Sequence, residues 1–111
     1  MTSALRDLLR VDRTIHEPAR LMIVVILSAV VEADFLYLLK ESGLTKGNLS
    51  AHLSRLESVA YVEVTKTYRG KVPLTVYRLT ELGTAAFEAY RRQLRAVVER
   101  PGNHRTDSPE V

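Results

Sequence analysis

The chain has 111 residues, 46% of them hydrophobic and 26% charged, which bounds it to one modest globular domain with a single core. Cysteine is absent, excluding disulfides and thiolate metal sites, and His16, His52 and His104 show no helical metal-ligand spacing. The net charge of +3 is unevenly spread, with six lysines and arginines against two glutamates between Thr45 and Thr80 and a slight acidic excess elsewhere. A basic excess that local implies a local anionic partner.

In chain order, the opening Met-Thr-Ser-Ala-Leu-Arg-Asp has no apolar signal-peptide core, so a cytoplasmic location is the expectation. Leu5, Leu8 and Leu9 recur at i, i+3, i+4 and predict a short amphipathic helix begun by Thr2 or Ser3. Its leucines must cover either their own domain or a second subunit. Pro18 suits a first helical turn, and Ala19–Val31, apolar apart from Arg20 and Ser28, predicts a helix buried on most sides. The run is β-branched enough to leave a buried strand as the alternative, and it falls short of the roughly 20 residues a bilayer span needs. Asp34–Ser42 places Phe35, Leu36, Leu38 and Leu39 on a helical pattern, ended by Gly43 as a left-handed C-cap.

Only Gly43 and Leu44 separate this segment from a second helix over residues 45–59, with Thr45 as N-cap and Leu49, Leu53 and Leu56 as its apolar stripe. The other face carries Lys46, Asn48, Ser50, Ala51, Ser54 and Arg55, short or cationic residues suited to lying against a polyanion and touching base edges. Gly47 inside the first turn costs about 1 kcal/mol relative to Ala. A close approach to nucleic acid or to the preceding helix explains tolerating it. His52 falls on the inward side and reads as a packed, hydrogen-bonded histidine rather than a contact to nucleic acid.

Tyr61–Tyr68 and Leu74–Leu79 alternate and read as strands, joined by the turn Arg69-Gly70-Lys71-Val72-Pro73. Every charge from Lys66 to Arg78 is positive, whereas a merely solubilising surface mixes signs. Thr80-Glu81 opens a last helix with Ala86, Phe87, Tyr90, Leu94, Val97 and Val98 on one face and a solvated Arg91, Arg92 and Arg95, stopped by Pro101-Gly102. That stripe is longer than a small core covers, implying burial between subunits. Residues 103–111 are polar and aperiodic and are expected to be disordered.

Two helices joined by a tight glycine turn make a helix-turn-helix, and the basic hairpin after it makes the arrangement a winged helix-turn-helix. The expected fold is α+β, mainly α, with a three-helix core, a β-hairpin wing and extra N- and C-terminal helices for dimerisation. The expected division is 1–14 as an N-terminal helix, a dimer contact if its leucines cover a second subunit, 15–80 as the DNA-binding domain, 81–100 as the dimerisation helix and 101–111 as a disordered tail. Lys46, Asn48, Ser50, Ser54 and Arg55 are assigned to double-stranded DNA, with Asn48 and Arg55 reaching bases. Lys66, Arg69 and Lys71 are assigned to phosphates, Arg69 or Lys71 entering the minor groove. Tyr68 either packs at the hairpin base or touches a sugar. No carboxylate pair, nucleophile elbow, phosphate loop or metal spacing points to an enzyme, and no cofactor or membrane contact is expected. The other reading is a protein-interaction module binding an acidic partner.

Over roughly Ile15–Leu94 the chain resembles winged-helix transcriptional regulators of the MarR/ArsR-like group, of the short single-domain type. The residues that carry the resemblance are His16–Leu21, Leu44–Ser50, His52-Leu53, Leu56-Glu57, Tyr61-Val62, Arg69–Pro73 and Tyr77–Thr80. The resemblance implies a homodimeric repressor joined through its terminal helices, with recognition helices in successive major grooves and wings on the flanking backbone. The cysteine ligands of metal-sensing members are absent, so metal sensing does not carry over, and no polar constellation identifies an effector.

Overall fold

Each main helix begins where a side chain accepts an otherwise orphaned amide. In α2 (Pro18–Ser28) Glu17 accepts from the Arg20 amide at 2.8 Å, and that bond holds its carboxyl below the usual carboxylate range. In α3 (Phe35–Ser42) Asp34 accepts from the Tyr37 amide at 2.8 Å, and Gly43, at φ +70°, closes the helix in the left-handed region. Thr45 caps α4 (Lys46–Ser58) through the Asn48 amide, and Thr80 caps α5 (Glu81–Val98) through Gly83. A short helix α1 (Ser3–Asp7), continued by a 3-10 turn at Leu8–Arg10, precedes them. The structure, a computed structural model, describes residues 3–99. The expected helix stop at Pro101-Gly102 and the expected disordered tail lie outside them.

The sheet has three antiparallel strands in the order β1-β3-β2, formed by Ala33–Asp34, Val72–Leu79 and Val62–Arg69 respectively. Strands β2 and β3 make the hairpin. It turns through two residues, Gly70-Lys71, with Gly70 at φ +65° in the first central position. The turn is tighter than the five residues read from sequence: Pro73 sits inside β3 opposite Tyr68. Strand β1 had no sequence signal, because two residues are too few for a period to show.

The core gathers Ile23, Val24 and Leu27 of α2, Leu38 of α3, the predicted Leu49, Leu53 and Leu56 of α4, and Phe87 and Tyr90 of α5, with Ile15 of the α1–α2 loop fully buried among them. Two expectations need correction. Helix α2 ends at Ser28 rather than Val31; most of its positions are buried or half-buried as read, with Val25 half exposed, and Val31, beyond the helix end, is 82% exposed. Leu36 keeps the helical phase of α3 but points outward at 69% exposure, because only one stripe of so short a helix can face the core.

Helix α4 ends in a Schellman arrangement, the Ala60 amide donating to Glu57 and the Tyr61 amide to Leu56. Its left-handed position is held by Ala60, at φ +63°, where glycine is usual. A left-handed L-residue costs about 1–2 kcal/mol, partly offset in glycine by its greater unfolded entropy. Ala60→Gly is therefore expected to raise stability by about 0.5–1 kcal/mol, read as a higher urea midpoint at unchanged slope.

The next residues lock the hairpin to α5. The Thr80 hydroxyl donates to the Ala60 carbonyl at 2.6 Å, and the Thr80 amide donates to the Tyr61 carbonyl at 3.0 Å. Gly83, buried in α5, lies against that same carbonyl group. The Tyr61 phenol donates a short hydrogen bond to Asp12, which with burial pushes its pKa up to about 12. Asp12 also accepts from the Thr14 and Ile15 amides, so the α1–α2 loop, α4 and the sheet meet at one point.

Candidate nucleic-acid interface

Helix α4 exposes one continuous face. With Leu49, Leu53 and Leu56 directed inward, a 100° advance per residue puts Gly47, Ala51, Ser54 and Ser58 along the outward crest. Asn48 and Arg55 flank the crest on one side, Lys46 and Ser50 on the other. All of the residues assigned to DNA on this helix are exposed. Among the described residues neither Lys46 nor Arg55 has an acidic partner within ion-pair distance. A crest of small side chains lets the helix backbone come close to a surface, and the flanking Asn, Lys and Arg can then reach past it.

Gly47 refines that picture. A methyl group placed on it would meet nothing within 4 Å, so close packing on the preceding helix does not account for the glycine. Gly47→Ala is accordingly expected to leave thermal stability unchanged or slightly raised, while weakening duplex binding several-fold, as titrations of the two proteins side by side would show.

The inward residue of this helix is anchored as expected. His52 is largely buried, its Nδ1 3.2 Å from Nη1 of Arg20 and 3.9 Å from a Glu17 carboxylate oxygen. A guanidinium only donates, so Nδ1 is the acceptor in this arrangement. Nε of Arg20 also donates to the Thr14 carbonyl at 2.6 Å. Arg20 thus ties the α1–α2 loop to α4. The sequence did carry a signal for it, a lone cation in an apolar helix facing an inward histidine.

The wing does not present its cations as one set. Strand alternation and the β2–β3 register place Val62, Val64, Lys66 and Tyr68 on the sheet face that packs towards the helices, where the Tyr77 and Phe35 rings lie 6.4 Å apart. A cleft of about 370 Å³ runs along this face between Asp34 and the start of α3, Ser50 of α4, and Pro73, Thr75 and Tyr77 of β3. Lys66 and Tyr68 stand on the same side as that cleft, and Tyr68 is 69% exposed.

Arg69 stands on the opposite face, its Nη2 3.6 Å from the Asp34 carboxylate. Arg78 is paired across the strands with Glu63 at 3.1 Å. Lys66 and Lys71 have no acidic partner among the described residues. Asp34 was missed from sequence: it precedes Arg69 by 35 positions, and only strand β1 brings the two together.

Residues 19–98 match a family described as winged helix DNA-binding domain. An uncharacterized protein of Methanocaldococcus jannaschii is 36% identical over 72 residues, covering 64% of this chain and 77% of its own. Among solved structures, a transcriptional regulator homologue from Pyrococcus horikoshii is 28% identical and superposes with a TM-score of 0.80, over 88% of this chain and 96% of that one. A homodimeric winged helix-turn-helix DNA-binding domain from Mycobacterium bovis, described as a possible ArsR-family regulator, shares the fold. It is 22% identical, with a TM-score of 0.67 over 93% and 92% of the two chains.

Proposed function

Because the chain belongs to the winged helix DNA-binding domain family, we propose that it is a sequence-specific regulator of transcription that binds double-stranded DNA as a homodimer and represses by occupying its site. The observation that carries this reading is the outer face of α4, small along its crest, flanked by Lys46, Asn48, Ser50 and Arg55, and free of acidic partners among the described residues. In this proposal α4 enters the major groove, with Asn48 able to pair with adenine and Arg55 with guanine. Lys66 and Lys71 rest on flanking phosphates, where each contact releases condensed counterions.

Dimerisation is supported by apolar surface away from that face. Leu9 of the 3-10 turn is 75% exposed and Val98 of α5 is 68% exposed. An open groove of about 380 Å³ between α2 and α5 is lined by Leu21, Val25, Tyr90, Leu94 and Val98. An exposed apolar row of this kind is an association surface. In a two-fold dimer the two α4 helices would address half-sites about 34–36 Å apart.

Selection of sites from a random duplex pool tests the reading, followed by salt titration on the selected sequence. A pseudo-palindromic site bound with steep salt dependence is the expected result. Failure to enrich any duplex, with retention of an acidic protein instead, would replace DNA by a protein partner on the same basic face. On the selected site, Lys71→Ala is expected to weaken all sequences alike and to reduce the salt slope by about one.

A further inference from the structure

Asp34 has two duties in the structure. One carboxylate oxygen caps α3 through the Tyr37 amide at 2.8 Å, and the other lies 3.6 Å from Nη2 of Arg69. The Asp34 side chain is 19% exposed and that of Arg69 76%, so a largely buried acid on the sheet holds the reaching end of an exposed cation. Register explains the meeting. Asp34 is opposite Val76 and Arg69 opposite Val72, which puts both on the sheet face turned away from α4, Arg69 reaching over β3. In this arrangement the guanidinium is directed away from the cleft beside α4, and its charge is offset. Among the described residues Lys66 and Lys71 have no such restraint.

We propose that Asp34 is a specificity-determining residue that withholds Arg69 from indiscriminate phosphate contact. Resting on the DNA-binding proposal above, the inference divides the wing into two lysines that attract any duplex and one arginine that must exchange a carboxylate for a DNA acceptor. That exchange is favourable only where the duplex offers more than an isolated phosphate, such as a bidentate phosphate geometry or the enhanced negative potential of a narrow minor groove. Elsewhere Arg69 stays on Asp34. Discrimination against wrong sites by an unfavourable element is a common source of specificity.

The test compares the full chain with Asp34→Asn and Asp34→Ser, both of which remove the charge and keep a residue type that caps helices well. Each is measured on random-sequence duplex over a range of salt. Both variants are expected to bind random duplex about two- to fivefold more tightly, the size of one exposed ion pair. Their salt slope should steepen by about one phosphate contact. In an Arg69→Gln background the same changes should have no effect, because the arginine they release is gone. Unchanged affinity and slope in both variants, or an equal gain with and without Arg69, would overturn the inference. If the unmodified chain itself shows no salt-dependent duplex binding, the DNA-binding proposal fails first, and this inference with it.

Discussion

Gly83→Ala is expected to destabilise the fold by about 3 kcal/mol or more, at the upper end of overpacking substitutions. Gly83 is at the third position of α5, where its Cα passes directly over the backbone of Tyr61. A Cβ there would sit against the Tyr61 carbonyl oxygen at well under contact distance, 2.9 Å from its carbon and 3.0 Å from its Cα. These are backbone atoms and cannot swing aside as the end of a long side chain would. The Tyr61 carbonyl also accepts from the Thr80 amide, and Thr80 caps Gly83, so moving α5 outward breaks the cap along with the packing. For a chain whose total stability is of the order of 5–15 kcal/mol, the loss lowers the thermal midpoint by more than about 10 °C. A midpoint within about 2 °C of the original, measured by circular dichroism, would show that the α5–hairpin junction has slack the packing does not suggest.

Arg55→Ala is expected to have the largest effect on recognition while leaving the fold alone. Arg55 is exposed in the last turn of α4, and among the described residues no carboxylate pairs with it. Stability should therefore change by no more than about 0.5 kcal/mol, as for other surface substitutions. Binding to the selected site should weaken by about 1–3 kcal/mol, roughly 5- to 150-fold, the worth of a bidentate contact to guanine. The signature that separates base reading from phosphate attraction is the pattern across sequences. Arg55→Ala should relax preference at one base pair per half-site and affect random duplex little, whereas Lys71→Ala should weaken both equally. Competition with single-base variants of the site makes the distinction, and a uniform loss for Arg55→Ala would reassign it to the backbone.

Local signals carried most of this architecture into the sequence. The Leu49, Leu53 and Leu56 spacing, the Thr45 cap, the helix start at Thr80-Glu81 and the Gly43 turn each describe chemistry within one helical turn, and the structure keeps all of them. Gly70 likewise announced the hairpin tip. What was not legible depends on distant parts of the chain meeting. Strand β1 is too short to have a period, and with it went the Asp34–Arg69 pair that engages one of the wing cations. The exposure of Leu36 and Val25 was hidden for a related reason: apolar spacing gives the phase of a helix but not how much surface its neighbours cover. The reason for Gly47 was half legible, since propensity showed it to be costly and only the open space around it removes intramolecular packing as the cause.

In the proposed function, α4 and the hairpin tip together meet duplex DNA. Amide chemical-shift mapping of the labelled chain during titration with its selected duplex tests it most directly. The largest changes are expected on Lys46–Arg55 and on Lys66–Val72, with smaller ones at the start of α3, while the buried turn of α5 around Phe87 and Tyr90 stays nearly unmoved. Changes confined to the α2–α5 groove, or none on α4 under conditions where the duplex is bound, would contradict it.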